Sequence, residues 1–509
     1  MSAVILPRLA GEAWFGGCVN DGSAMPFADG FVRDLGDQLQ NQVVPLLLST
    51  RGRWLWCDHP FRVHIAADRI VIDGQGDATV VQGQAEGGLR GAALAAAAQV
   101  APPSGAMPDP RLFTAPQYNT WIELLYDQNE RDVRRYAEAI LAHGWPPGVL
   151  MIDDTWQEDY GCWDFHPGRF RDPAGMVAHL HALGFAVMLW VCPMISPDSA
   201  AYRHLADQGL LLRGHDGRPA IRPWWNGHSA LLDMTHPGAI AWMDERLRRL
   251  QRDYGIDGFK FDAGDFASYR SDDLAHVPGH PGTHSAAWAR FGLRWPLNEY
   301  RACWGLGGQA LAQRLCDKLH AWDETGIAGC IPNLLAQGLL GLPFGCPDMV
   351  GGGEYRHFTA NAGSLDQELF VRHAQLSALM PMIQFSAAPW RVLDPRHHGL
   401  CREMAVLHAE HGAQILALAR HAAATGEPIV RHLAWAWPGQ PVAGIRDQFL
   451  LGDQLMVAPA TARGQRSRQV WIPPGAWRDE LGDVRQGPAW HEVPVPLERL
   501  PRFAPADRR

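Results

Sequence analysis

Between residues 131 and 266 short apolar runs alternate with amphipathic segments, and few folds accept that pattern. "DVRRYAEAILAHG", "DPAGMVAHLHALG" and "GAIAWMDERLRRLQRDYG" carry apolar residues at helical spacing. Between and after them come "GVLMIDD", "FAVMLWVCP" and "GFKFDAGD". These runs are too short for helices and too uniformly apolar for strands with one wet face. Strands buried on both faces and joined by helices make parallel sheets. Such units repeated over roughly 300 residues fit a closed (β/α)8 TIM barrel.

The flanks read differently. "QVVPLLLSTRGRWLWCDHPF" and "FRVHIAADRIVIDG" read as strand, turn and strand, so an N-terminal β-sandwich is expected over 1–110. An Ala-rich and then Pro-rich stretch, 92–110, reads as a linker. The barrel is expected over 111–425. From Gly426, "DQFLLGDQLMVAPA" and "RQVWIPPGAWRDE" return to β, and a C-terminal β-sandwich domain is expected over 426–509.

Composition removes several function classes. The net charge of −9 on 509 residues is spread out, which leaves no basic footprint for nucleic acid or a membrane surface. No uncharged apolar run reaches the roughly 18 residues of a membrane span. Nine scattered cysteines without a CxxC pair exclude zinc and redox motifs and fit a reduced, cytoplasmic protein. "MSAVILPRLAGEAWFGG" lacks the basic start and long apolar run of a signal peptide. No GxGxxG opens a helix after a strand, and neither GxxxxGK[ST] nor GxSxG occurs. No cofactor is expected. The 21 tryptophans serve a core or wall a carbohydrate cleft.

Polar residues at the C-terminal ends of barrel strands face the site of chemistry. Asp153 and Asp154 end "VLMIDD", Asp262 ends "GFKFD", and Asp348 lies in "GLPFGCPDMVGGG". Lys260 and Asp262 are two apart and share one face of their strand. Such a buried pair is costly unless it is a satisfied ion pair or part of a site. Paired carboxylates without metal-ligating histidines point to glycoside hydrolysis, which needs two acids and no cofactor.

These segments, with "PWWNGHSALLDMTHPGAIAWM", "ALMPMIQFSAAPW" and "GEPIVRHLAWAWPGQ", occur in an order that resembles glycoside hydrolase family 31 over nearly the full chain. "WWNG…ALLD", "FKFDAG" and "PDMVGG" most resemble the branch of the myogenesis-regulating glycosidase, which acts on α-galactosides. The resemblance implies Asp262 as nucleophile and Asp323, in "AWDETG", as acid/base, in preference to the adjacent Glu324. It implies sugar-binding roles for Asp153, Asp154, Trp156, Trp190, Trp225, Asn226 and Arg301. Asp348 would line the site or hold its glycine loop. The family's α-glucosidases carry Arg and His where this chain has Gln384 and Ser386. A Lys-x-Asp nucleophile strand appears in related α-galactosidase families, so Lys260 is expected both to pair with Asp262 and to bind an axial hydroxyl.

The implied reaction is retaining, exo-acting hydrolysis of a terminal α-linked sugar, with α-galactoside favoured. The two carboxyl groups would lie about 5–5.5 Å apart, the nucleophile ionised and the acid raised by burial or by its partner's charge. α-Glucoside, α-xyloside and α-N-acetylgalactosaminide stay open, as do transglycosylation and a non-catalytic sugar-binding protein. The expected partner is a small oligosaccharide or glycoside, and association into a homo-oligomer stays open.

Overall fold

The computed structural model describes residues 3–37, 41–74 and 78–506. Nine short parallel strands form one sheet in the order Gly345–Cys346, Gln313–Arg314, Asn298–Tyr300, Gly258–Phe261, Ala186–Val191, Val149–Ile152, Gln117–Asn119, Gln384–Phe385, Met349–Val350. The two end members are separated only by Pro347 and Asp348, so the sheet closes on itself as an eight-stranded barrel. Its strands are buried throughout, as the uniformly apolar runs require.

Four of the helices start where the sequence supplies a cap followed by proline. Asp172, His236, His280 and Asp394 each accept a backbone N–H at the helix start, and Pro173, Pro237, Pro281 and Pro395 follow. Gly255 and Gly426, at φ 76° and 78°, close two of these helices.

Two antiparallel sheets precede the barrel. One runs Val4–Pro7, Arg69–Gly74, Phe61–Ile65, Val32–Asp34, and the other contains Trp14–Cys18, Gln42–Ser49, Arg53–Cys57 and Val80–Gln84. The stretch read as a linker is instead helical at its start. Gly88–Val100 forms a helix that buries Leu89, Ala92, Ala93 and Ala96. Alanine has the highest helix propensity, and Pro102 and Pro103 mark its end.

After the barrel, the long helix Pro395–Thr425 leads into a single hydrogen-bonded antiparallel sheet. It runs Val430–Arg431, Phe449–Leu451, Leu455–Val457, Arg502–Pro505, Ser467–Asp479, Val484–Pro494. Between the fifth and sixth barrel strands there is no crossover helix. The chain runs out to the second N-terminal sheet, where Cys303–Trp304 pairs in parallel with Gln42–Val43. No helix among the described residues is long and apolar enough to cross a membrane.

Candidate active site

A cavity of about 200 Å³ opens at the C-terminal ends of the barrel strands. Asp153 and Asp154 follow the second strand, Trp190 is in the third, Lys260 and Asp262 belong to the fourth, Arg301 follows the fifth, and Arg314 and Asp317 come with the sixth. Thr155, Ala263 and Asp348 take positive φ (71°, 54° and 82°) just past these strand ends. Strained non-glycine backbone of this kind collects at functional sites.

Asp262 is 8% exposed and fully directed by its neighbours. Its Oδ2 accepts from Trp190 Nε1 at 2.8 Å, and its Oδ1 accepts from Arg301 Nε at 2.9 Å and from the Ala263 amide at 2.8 Å. Burial alone would raise this carboxyl. Arg301, then Lys260 and Arg314, override burial and hold it well below the usual carboxylate range, so it is ionised at neutral pH. Arg301 is itself gripped by both oxygens of Asp265, at 3.0 and 2.8 Å, and lies 5.2 Å over the Trp225 ring.

Lys260 does not pair directly with the carboxylate two residues on. Its ammonium donates to Asp153 Oδ2 at 2.7 Å, across the barrel floor, and acts on Asp262 only through its charge. Burial would lower the Lys260 ammonium, but Asp153 and then Asp262 leave it raised and charged.

Asp154 behaves oppositely to Asp262. Burial, and then the charge of Asp153, push its carboxyl up to about 7. Its Oδ2 accepts from Asn226 Nδ2 at 2.6 Å, and its Oδ1 accepts from Tyr160 OH at 3.1 Å and from the Thr155 amide at 2.6 Å. Trp225 and Asn226 form the turn of the hairpin Ile221–Trp224 and Gly227–Leu231, which reaches over the cavity. Tyr126 OH donates to Asn226 Oδ1 at 3.0 Å and lies 3.1 Å from Tyr355 OH, so the hairpin is tied to the opposite rim.

The shift of Asp154 makes a stability prediction. A carboxyl raised in the folded state contributes stability that is complete below its unfolded value and is lost as pH rises through about 7. Between pH 5 and pH 8 the protein should lose about 3 kcal/mol through this group. Urea unfolding of the wild type beside Asp154→Asn at both pH values measures it. The variant should escape that loss, and equal losses would refute the assignment.

The proposed acid/base, Asp323, is not in the cavity. It is exposed on a turn, where the Thr325 hydroxyl at 2.5 Å and amide at 2.9 Å hold its carboxyl below the usual range. That is the reverse of what a proton donor needs. Glu324 beside it is also exposed. The cavity carboxylate on this part of the chain is Asp317, whose Oδ1 accepts from Arg314 Nη1 at 2.8 Å and whose side chain is 37% exposed.

The expectations for Gln384 and Trp156 need correction, and of the two roles offered for Asp348 the structure shows the loop-holding one. Gln384 lies inside the barrel, below the cavity, donating to Gln117 Oε1 at 2.9 Å and Glu299 Oε2 at 2.6 Å. Ser386 accepts from the Ile122 amide. Trp156 is buried beneath the site, its indole donating to the Trp190 carbonyl at 2.7 Å. Asp348 is fully buried and holds the glycine loop. It accepts from Arg314 Nη1 at 2.5 Å, the Lys318 amide at 2.7 Å and the Gly353 amide at 2.9 Å. Gly352 in that loop, at φ 102°, leaves no room for a side chain, since a Cβ would meet the Lys318 carbonyl oxygen at 2.7 Å.

Beyond Asp317, sequence reasoning did not find Asp265, Arg314, Tyr160 or the rim residues Trp121, Glu354, Tyr355 and Arg356. Trp121, Tyr126 and Tyr355 pack edge to face with centroids 5.2–5.8 Å apart. Among the described residues no group of three or more His, Cys, Asp or Glu is placed to hold a metal ion.

Comparison with known proteins agrees with this architecture. The family model for the glycosyl hydrolases family 31 TIM-barrel domain matches residues 110–403, and that for the family 31 C-terminal domain matches 426–508. The myogenesis-regulating glycosidase of Mus musculus is 35% identical over 409 residues, covering 78% of this chain and 56% of its own. The SITS-binding protein of Tetronarce californica is 27% identical over 311 residues, covering 56% of this chain and 41% of its own. The chain thus spans about half the length of these curated relatives. A Flavobacterium johnsoniae family 31 dextranase, solved with glucose, shares the fold at a TM-score of 0.87 and 20% identity, covering 99% of this chain and 66% of that one. With the barrel and C-terminal models matched in order and a relative 35% identical over 78% of this chain, the chain belongs to glycosyl hydrolase family 31.

Proposed function

We propose that this protein is a retaining, exo-acting α-glycosidase that removes a terminal sugar from a small glycoside, with α-galactoside as the preferred substrate. The reading takes residues 1–110, 111–425 and 426–509 as its three units. The observation that carries it is the pair of carboxylates in one cavity, with Asp262 buried and held ionised and Asp317 opening toward the mouth.

Asp262 attacks the anomeric carbon while Asp317 delivers a proton to the departing oxygen. The product is a β-linked glycosyl-enzyme, in which the charge of Asp262 is gone. Asp317 then takes a proton from water, and the water releases the sugar with its α configuration retained. Trp190, Arg301 and the Ala263 amide fix the attacking carboxylate, so little orientation remains to be found in the transition state.

The preference for galactose rests on Lys260. One ammonium hydrogen is committed to Asp153, and Lys260 also lines the cavity. A fixed donor there suits an axial hydroxyl. Asp153 and Asp154 accept from neighbouring hydroxyls, and Trp225 walls the ring. The cavity of about 200 Å³ corresponds to roughly seven waters at ~30 Å³ each, which suits one sugar ring better than a polymer segment.

Turnover of p-nitrophenyl α-glycosides of galactose, glucose, xylose and N-acetylgalactosamine tests this reading. The α-galactoside should be hydrolysed at the highest kcat/KM. If glucose or xylose leads, the role given to Lys260 falls and the two-carboxylate chemistry stands. If none turns over while a free sugar binds, the protein is a non-catalytic sugar-binding member.

A further inference from the structure

Asp262 and Asp317 follow different strands, the fourth and the sixth, and double displacement needs their spacing held constant. The detour of the chain after the fifth strand bears on this. By pairing Cys303–Trp304 with Gln42–Val43, it brings two buried side chains at the start of an N-terminal strand, Gln42 and the preceding Asn41, to the back of the site.

Asn41 Nδ2 donates to Asp265 Oδ1 at 3.0 Å, and Asp265 is the carboxylate that grips Arg301. The same amide's Oδ1 accepts from Cys316 Sγ at 3.3 Å, and Cys316 immediately precedes Asp317. Gln42 Nε2 donates to two carbonyls, those of Arg301 at 2.9 Å and Arg314 at 2.5 Å. Its Oε1 accepts from Gln337 Nε2 at 2.5 Å. One dipeptide therefore touches the supports of both carboxylates. Packing alone would be satisfied by apolar residues of equal volume. Here both ends of each amide are used, and three of the partners are Arg301, Arg314 and the carboxylate that orients Arg301.

We propose that Asn41 and Gln42 are positioning residues that lock Arg301 and Arg314 and so fix Asp262 against Asp317, making the N-terminal sheet part of the catalytic machinery. The proposal rests on the glycosidase reading above.

Asn41→Ala, Asn41→Asp and Gln42→Glu test it, the last two keeping side-chain size in case truncation prevents folding. On the preferred p-nitrophenyl glycoside, kcat should fall about 10- to 100-fold with KM within about threefold, as for a small misplacement of reacting groups. The acid limb of kcat/KM should move to higher pH as Arg301 loosens from Asp262. The move should be largest in Asn41→Asp, which sets a second negative charge against Asp265. A purely structural role would lower Tm without moving that limb. Crystal structures supply a readout independent of turnover: in Asn41→Ala the Arg301 Nε to Asp262 Oδ1 contact, 2.9 Å in the wild type, should open. Wild-type kcat and an unmoved acid limb, or an unchanged contact in Asn41→Ala, would overturn the proposal. If the wild type hydrolyses no glycoside, the functional reading falls and the crystal readout alone decides this inference.

Discussion

Asp262→Asn should lower turnover by about 10⁴-fold or more, with the fold intact. The amide is nearly isosteric but cannot form the glycosyl-enzyme. Arg301 keeps its two bonds to Asp265, so the loss of one carboxylate does not release it into the cavity. Steady-state kinetics beside a far-ultraviolet circular dichroism spectrum distinguish a chemical loss from a folding loss. A variant that retains more than a few per cent of wild-type kcat would remove Asp262 from the mechanism.

Asp317→Ala should lower kcat/KM, which reports the first displacement, by about 10²- to 10⁴-fold on a sugar aglycone, the usual value of a positioned proton donor. The loss in kcat/KM should be much smaller with p-nitrophenol, which departs as a stable anion and needs no proton, while kcat falls there too because Asp317 is also the base of the second displacement. Asp323→Ala should stay within about twofold of wild type on both substrates. Asp323 caps an exposed turn through Thr325, outside the cavity, and its loss should cost local stability only. Comparing the two variants on the two leaving groups separates these adjacent candidates. Equal effects on kcat/KM with both leaving groups would argue against Asp317 as the acid.

The residue proposed as nucleophile was legible in the sequence and the residue proposed as acid was not, for a physical reason. Asp262 closes an apolar strand, Gly258–Phe261, and the two-residue alternation with Lys260 sets both on one face. Asp153 and Asp154 end an equally apolar run. Asp317 follows Gln313–Arg314, a strand of two residues in a segment with no apolar run, so neither periodicity nor burial marks it. A usable signal was present nonetheless: Arg314 and Asp317 are three apart, and Arg314 is buried among carboxylates it must serve. The partner of Lys260 was invisible for a different reason. Proximity along the strand favoured Asp262, whereas the ammonium reaches across the barrel to Asp153, 107 positions earlier. The misread linker shows the same limit. Alanines at 92–100 signal helix, and the prolines just beyond them mark its end, not a linker throughout.

The N-terminal contribution was equally hidden. Nothing local in Asn41 or Gln42 announces a contact 224 to 295 positions away. It follows from topology, since a missing crossover helix sends the chain after the fifth strand to the N-terminal sheet.

The most direct test of the central claim is to trap the glycosyl-enzyme. The protein is incubated with a 2-deoxy-2-fluoro glycosyl fluoride of the preferred sugar, digested, and its peptides weighed. A single adduct of one fluorosugar on the peptide containing Asp262, with recovery of activity as it is released, is the result this account predicts. Turnover of the parent glycoside with inverted product stereochemistry, or an adduct on any other carboxylate, would contradict it.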